Sequence, residues 1–223
     1  MNEARYERKL VAERAGAGAV RRLVARHPAM FSPAYPPRWV NGIYFDTPLR
    51  ASYGDNVEGN PDRSKMRLRW YGGLMGSVTD PVLEVKTKAG LIGGKQRFPL
   101  APFVVDHTCC ATTLAAMLRP QLPPGEAALI GSLEAVCAVR YHRDYYLSAD
   151  GRFRVTVDAD IAYAAIGRRR SRWHHRTTEG RRVIVEVKYD REHDPDADRI
   201  SAWFPFRLAR NSKYARALEL LAL

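Results

Sequence analysis

Cysteine is scarce in this chain of 223 residues: Cys109, Cys110 and Cys137 are the only three. An odd count with no C-x-x-C and no Cys/His ligand spacing argues against a disulfide framework and a zinc site, and fits a reducing compartment. Long apolar runs are missing too. Residues 1–10 are charged and lack an apolar signal core, and nowhere do about 18 apolar residues follow one another. A cytoplasmic protein without membrane insertion is therefore expected. No internal repeat is visible, and the one biased tract, 168–176 with five Arg and two His, reads as a solvated hairpin loop.

Acids are also in short supply: 24 Asp plus Glu face 36 Lys plus Arg, a formal net charge of +12. That balance favours an anionic partner such as nucleic acid, a membrane surface or a polyphosphorylated ligand. The bases are 29 Arg and 7 Lys, and the planar Arg fork suits phosphate oxygens, although genome composition also enriches Arg. The hydrophobic fraction of 46% and charged fraction of 27% are those of an ordinary globular protein. The length fits a single domain over residues 1–223.

Short alternating segments dominate, at residues 5–11, 40–47, 65–71, 82–88, 136–147, 152–163 and 182–189, all read as strands. Helical stretches are expected at 11–27, 112–119 and 212–222, the last opened by Asn211 or Ser212 as N-cap. Pro33, Pro36 and Pro37, and later Pro120, Pro123, Pro124 and Gly125, read as loops. The fold class is thus α+β, mainly β.

Alternate strand residues point to opposite faces, so Lys65, Arg67 and Arg69 oppose Met66, Leu68 and Trp70. Glu84, Lys86 and Lys88 likewise oppose Leu83 and Val85, and Glu186 and Lys188 oppose Val183, Val185 and Val187. Arg152, Arg154, Asp158 and Asp160 oppose Phe153, Val155, Val157 and Ile161. One reading is a half-buried sheet with its charges in water. The other is a binding wall, because bases mixed with isolated acids recur without the Thr, Ser and Gln of a solvated face. If the charged faces line a barrel, the apolar faces point outward and need helices to cover them. Unpaired buried ions cost several kcal/mol each, so such a lumen needs acids, water, metal or a polyanion, and a phosphate chain meets that need.

Eight segments in order carry a family resemblance: R-Y-E-R-K at 5–9, Y-F-D-T at 44–47, K-M-R-L-R-W-Y-G at 65–72, L-E-V-K-T-K at 83–88, Y-H-R-D-Y-Y at 141–146, R-V-T-V-D-A-D at 154–160, V-E-V-K at 185–188 and S-K-Y at 212–214. Together they resemble the VTC (vacuolar transporter chaperone) polyphosphate polymerase domain of the CYTH-like triphosphate tunnel metalloenzymes. The resemblance implies an eight-stranded antiparallel tunnel barrel with a charged interior and flanking helices. It further implies a triphosphate held by basic side chains and a divalent metal, Mn2+ or Mg2+, held by a carboxylate. Residue by residue, Arg67, Arg69, Lys86, Arg143, Arg154 and Lys213 match the phosphate ligands, and Glu186 the metal ligand. Lys9 and Lys188 share those faces and join the phosphate set, and Glu7 joins Glu186 in the metal set. Arg67, Arg69, Lys86 and Glu186 are the expected catalytic group.

Arg140 lies three residues from Arg143, so alternation puts the two on opposite faces unless a bulge intervenes. Tunnel triphosphatases carry E-x-E-x-K on the first strand, whereas here Arg5 replaces the first acid before Glu7 and Lys9. One acid fewer weakens a second metal site and favours holding a long polyanion over releasing a monophosphate. The expected activity is an ATP-polyphosphate phosphotransferase with ATP and polyphosphate as partners and no nucleic acid, since no aromatic base-stacking platform accompanies the bases. A triphosphatase or polyphosphate hydrolase, and a non-catalytic polyphosphate- or nucleotide-binding module, are the alternatives.

Overall fold

The computed structural model describes residues 5–89, 92–169 and 171–223. Strand β1 (Arg5–Ala12) leads into helix α1 (Gly16–Ala25), the long strand β2 (Ser32–Asp46) and the short helix α2 (Ala51–Glu58). Next come β3 (Arg63–Tyr71), β4 (Gly76–Val78), β5 (Val82–Ala89), β6 (Ile92–Pro99) and β7 (Phe103–Val105). Helices α3 (Ala111–Leu118) and α4 (Pro124–Ser132) precede β8 (Glu134–Leu147), β9 (Phe153–Ile166), β10 (Ser171–Thr178) and β11 (Val183–Asp190). The chain ends with α5 (Asp194–Ala202), the two-residue β12 (Arg207–Leu208) and α6 (Lys213–Leu221).

The class is the expected one, but the strand count is not. Ten strands, not eight, share one ladder in the order β12, β1, β11, β9, β8, β2, β3, β5, β6, with β10 on β9. Among the described residues that ladder ends at β12 and β6 rather than closing. β4 and β7 form a separate pair. No described helix is long and apolar enough to cross a membrane.

Contacts divide the chain into two compact units. One contains the chain up to Trp39 with Tyr141–Ile161 and Thr178–Asn211. Its core sets Val155 and Val157 of β9 and Val183, Val185 and Val187 of β11 against Val20 and Val24 of α1 and Ala197 and Ile200 of α5. The other contains Val40–Arg140, Ala162–Thr177 and Ser212–Leu223. Its core sets Ile43, Phe45, Met66, Leu68, Trp70, Leu83 and Val85 against Leu114 and Leu118 of α3 and Ile130 of α4. Each buried Val or Leu contributes about 1.5–3 kcal/mol, which fixes strand register because a one-residue slip would turn the charges onto the helices. Within each unit, then, helices cover the apolar face and the alternate, charged positions lie on the opposite face, as the alternation requires.

Several boundaries differ from expectation for identifiable reasons. The helix expected over 11–27 starts at Gly16, because Val11 and Ala12 pair with Ile184 and Val183 of β11. Pro33, Pro36 and Pro37 lie inside β2, not in a loop. β3 pairs only with residues 40–45 of β2, so the proline-bearing end meets no β3 ladder that would need its missing N–H groups. Pro124 opens α4 at a position where a helix has no use for an N–H. The tract at 168–176 is no loop after its turn, since β10 takes up 171–178. Residue 170 and the side chains of 171–175 lie outside the described residues, as do those of Arg5 and Lys88.

Candidate functional site

In the first unit, β1, β11 and β9 lie side by side in register. Lys9 is opposite Glu186 and Glu186 opposite Thr156, while Glu7 is opposite Lys188 and Lys188 opposite Arg154. Glu186 is 6% exposed. Its Oε2 accepts from Lys188 Nζ at 2.9 Å, Arg143 Nη2 at 3.2 Å and Thr156 Oγ1 at 3.3 Å, and its Oε1 lies 4.0 Å from Lys9 Nζ. Lys9 also pairs with Glu7 at 3.0 Å and donates to the Asn211 carbonyl at 3.1 Å. Arg154 stands exposed at the open end of this face, beside Lys188 in register.

Arg143 arrives from β8 and grips the fully buried Asp158 with both arms of its fork, at 2.5 and 2.6 Å. Its guanidinium also lies over the Tyr141 ring, 5.1 Å from the centroid. Burial opposes the Arg143 charge, but Asp158, with Tyr141 and Glu186 behind it, outweighs burial and holds its pKa well above the ordinary value. His142 and Asp144 instead meet Arg21 of α1, at 3.4 and 2.9 Å. Alternation therefore holds along 141–144 without a bulge, and Arg143 belongs to the cluster. Arg140, whose pKa burial and then Arg176 push down, lies in the other unit.

In the second unit, Tyr44, Arg67, Glu84 and Arg97 line up across β2, β3, β5 and β6. Glu84 is 1% exposed and surrounded by cations: Arg67 Nη2 at 2.6 Å, Lys95 Nζ at 2.7 Å, Arg69 Nη1 at 3.2 Å and Arg97 Nε at 3.7 Å. Burial alone would raise the Glu84 pKa, but Arg67, Lys95 and Arg69 outweigh it and hold the carboxyl at about 2. Burial lowers the Lys95 pKa in turn, opposed by Glu84. One row along, Lys65, the exposed Lys86 and Lys95 stand opposite one another.

The Y-F-D-T segment builds the floor of this second cluster. The Arg67 guanidinium lies over the Tyr44 ring at 5.7 Å, and Tyr44 stacks on Tyr214 of α6 at 5.4 Å. Asp46 is fully buried, accepting the Tyr214 hydroxyl at 2.6 Å and the backbone N–H groups of Thr47, Ser52 and Tyr53, so it ties α6 and α2 to the end of β2. Gly42 supplies room: a Cβ there would lie 3.0 Å from Arg67 Cδ and 3.3 Å from its Cγ. Ser212 caps α6 by accepting from the Ala215 N–H at 3.4 Å and also receives the Lys65 ammonium at 3.2 Å. Lys213 follows as the first residue of α6, 9% exposed.

The candidates thus fall into two groups. Lys9, Arg143 and Lys188 gather around the buried Glu186 in the first unit, with Glu7 on Lys9 and Arg154 beside Lys188 in register, and Arg67 and Arg69 gather around Glu84 in the second, with Lys86 and Lys213 in that same unit. Lys65, Lys95, Arg97 and the organising acids Glu84 and Asp158 were not among the candidates. Glu84 and Asp158 were visible as isolated acids on basic faces. Lys95 and Arg97 were hidden because Gly93 and Gly94 interrupt the alternation of β6.

Among the described residues no three His, Cys, Asp or Glu side chains group to hold a metal ion. Asp158 is committed to Arg143. Glu186 and Glu7 remain on one face, diagonal to each other across β1 and β11. Both are already paired with cations, Glu186 with Lys188, Arg143 and Lys9 and Glu7 with Lys9, so a divalent ion here would have to displace ammonium contacts and would take one or two carboxylates, with phosphate oxygens and water completing its shell.

Residues 4–222 match the family model described as the VTC domain. Among solved structures, a candidate adenylate cyclase from Vibrio parahaemolyticus is similar with 13% identity and a TM-score of 0.57, over 98% of this chain and 99% of that one. The PH1819 protein from Pyrococcus horikoshii OT3 is similar with 13% identity and a TM-score of 0.54, over 97% and 99%. A candidate adenylyl cyclase from Hippeastrum, described as revealing a dominant triphosphatase activity, is similar with 12% identity and a TM-score of 0.52, over 97% and 95%. At such identities the likeness speaks to the fold. No curated protein matches the sequence.

Proposed function

Because this chain belongs to the VTC domain family, we propose that it is a metal-dependent polyphosphate polymerase, transferring the γ-phosphate of ATP to a growing polyphosphate chain. The observation that carries this reading is the buried acid enclosed by bases, found once in each unit: Glu186 among Lys9, Arg143 and Lys188, and Glu84 among Arg67, Arg69, Lys95 and Arg97. Both arrangements keep cations assembled on a strand face with fewer acids than bases, ready to exchange those contacts for phosphate oxygens. We take residues 1–223 as one VTC-type triphosphate tunnel domain, supported by a single continuous family match over 4–222.

In the reaction a terminal oxygen of the chain forms a bond to the γ-phosphorus as the bond to the β-phosphate oxygen breaks, leaving ADP and a chain one unit longer. Such a transfer asks for alignment and charge neutralisation rather than a covalent intermediate. Arg67, Arg69 and Lys86 of the second unit, and Lys9, Arg143, Arg154 and Lys188 of the first, would clamp phosphate oxygens, with Lys213 contributing from the start of α6, where helix N–H groups also favour an anion. Glu186, with Glu7, would hold the divalent ion, which when bound neutralises γ-phosphate charge. Asp158 keeps the Arg143 fork oriented, so phosphate meets a guanidinium already in place. Arg5 stands where tunnel triphosphatases carry the first acid of E-x-E-x-K, before Glu7 and Lys9, which supports chain retention over hydrolysis.

Glu186→Gln separates binding from chemistry. Metal-dependent ATP turnover should fall at least a hundredfold, about 3 kcal/mol of lost transition-state stabilisation. Metal-free polyphosphate binding should hold or tighten, because the bases remain and one negative charge has left. Unchanged turnover with an unchanged metal requirement would remove Glu186 from the site and the mechanism with it.

A further inference from the structure

A second basic site lies in the first unit, on the far side of Lys9 from Arg154. Val11 shares the Lys9 face of β1, two residues on, about 6.6 Å at about 3.3 Å per residue. There a cavity of about 380 Å3 opens, lined by Val11, Glu13, Arg182 and the run 207–210 that carries Arg207, Leu208 and Arg210. β12 builds one wall by pairing with β1, Arg207 opposite Val11 and Leu208 opposite Leu10. Lys9 ties the cavity to the Glu186 cluster. Its carbonyl accepts the Ala209 N–H at 2.9 Å and its ammonium donates to the carbonyl of Asn211, the neighbour of Arg210.

The charge inside is unbalanced. The two nearby acids both face Arg182, Glu179 at 3.0 Å from its Nη1 and Glu13 at 3.9 Å from its Nη2. Arg207 and Arg210 are exposed and have no acid partner among the described residues, and the Arg182 Nε is buried without a hydrogen-bond acceptor there. Three guanidinium forks around an open cavity with three small or aliphatic apolar side chains suit tetrahedral oxyanions. No aromatic side chain lines it, so nothing is offered to a nucleobase, and bare phosphates fit better than a nucleotide or a nucleic acid.

We propose that Arg182, Arg207 and Arg210 form an accessory anion site that holds the part of a condensed phosphate chain lying beyond Lys9. This rests on the polyphosphate reading above and deepens it: the site would select chain length, gripping long polyphosphate and leaving triphosphate untouched.

The test measures affinities for tripolyphosphate and for long-chain polyphosphate, without metal and at moderate salt, for wild type, the Arg207→Ala/Arg210→Ala double variant and Arg182→Lys. Both residues of the double variant are exposed, so folding should be intact. Long-chain affinity should fall about tenfold or more with tripolyphosphate affinity unchanged, and Arg182→Lys should show a smaller loss of the same kind because it keeps charge without the fork. Unchanged long-chain affinity, or equal loss for both ligands, overturns the accessory site. So does single-stranded RNA competing as well as polyphosphate. A wild type that makes chains from ATP while the double variant binds them normally sinks only this site; a wild type that binds neither phosphate sinks the polymerase reading as well.

Discussion

Glu84 has four cations within 4 Å and almost no solvent. Its folded pKa of about 2 lies below its ordinary 4.5, so its stabilising contribution is present above pH 4.5 and is lost as pH falls from 4.5 to 2. Glu84→Gln should destabilise the protein at pH 7 by about 3–5 kcal/mol, since removing one member of a buried ion cluster leaves the others uncompensated. The gap between variant and wild type should narrow at pH 3, where the carboxyl is already protonated in the unfolded chain while the folded protein still holds it charged. Denaturant unfolding of both proteins at the two pH values decides it, and a constant gap would count against the ion cluster. Arg67 and Arg69 are the exchangeable partners of Glu84. Arg67→Ala and Arg69→Ala should each weaken triphosphate binding about tenfold, the cost of one charge-assisted fork. Full affinity in both variants, measured calorimetrically at moderate salt, would mean this face does not meet phosphate.

At the scale of elements, the pairing of β2 with β3 has a requirement that no charge pattern shows. Gly42 sits opposite Arg69, and the stem of Arg67 crosses the space its side chain would fill. Gly42→Ala should push Arg67 off Tyr44 and Glu84, lowering triphosphate affinity severalfold while thermal stability drops little, because the clashing atoms belong to a flexible side chain. Equal losses of affinity and stability would point to general damage to the strand pair. What the sequence showed at this scale follows from period: β3, β5, β9 and β11 alternate cleanly because one face meets helices and the other carries charge. β6 was invisible because Gly93 and Gly94 occupy positions where alternation would show, and a Cβ at Gly94 would meet Thr87 Oγ1 at 2.6 Å. β10 was masked by its basic composition, and the start of β2 by three prolines that a strand tolerates where no N–H is needed. Most candidate bases were legible as face members, but the acid around which each set gathers is set by cross-strand register, which one strand's sequence does not state.

At the scale of the whole molecule, two compact units each carry their own apolar core and their own acid-centred set of bases, on a chain of net charge +12. Positive charge of this size attracts ATP and phosphate chains alike, so binding alone does not distinguish a polymerase from a hydrolase or a binding module. The products do. The purified protein is incubated with ATP and Mn2+, and the phosphate products are resolved by length on a gel while ADP is followed in parallel. A ladder of polyphosphate chains that lengthens with time, matched by ADP, is the expected result. ADP with orthophosphate alone, or no turnover of ATP under any divalent metal, would contradict it.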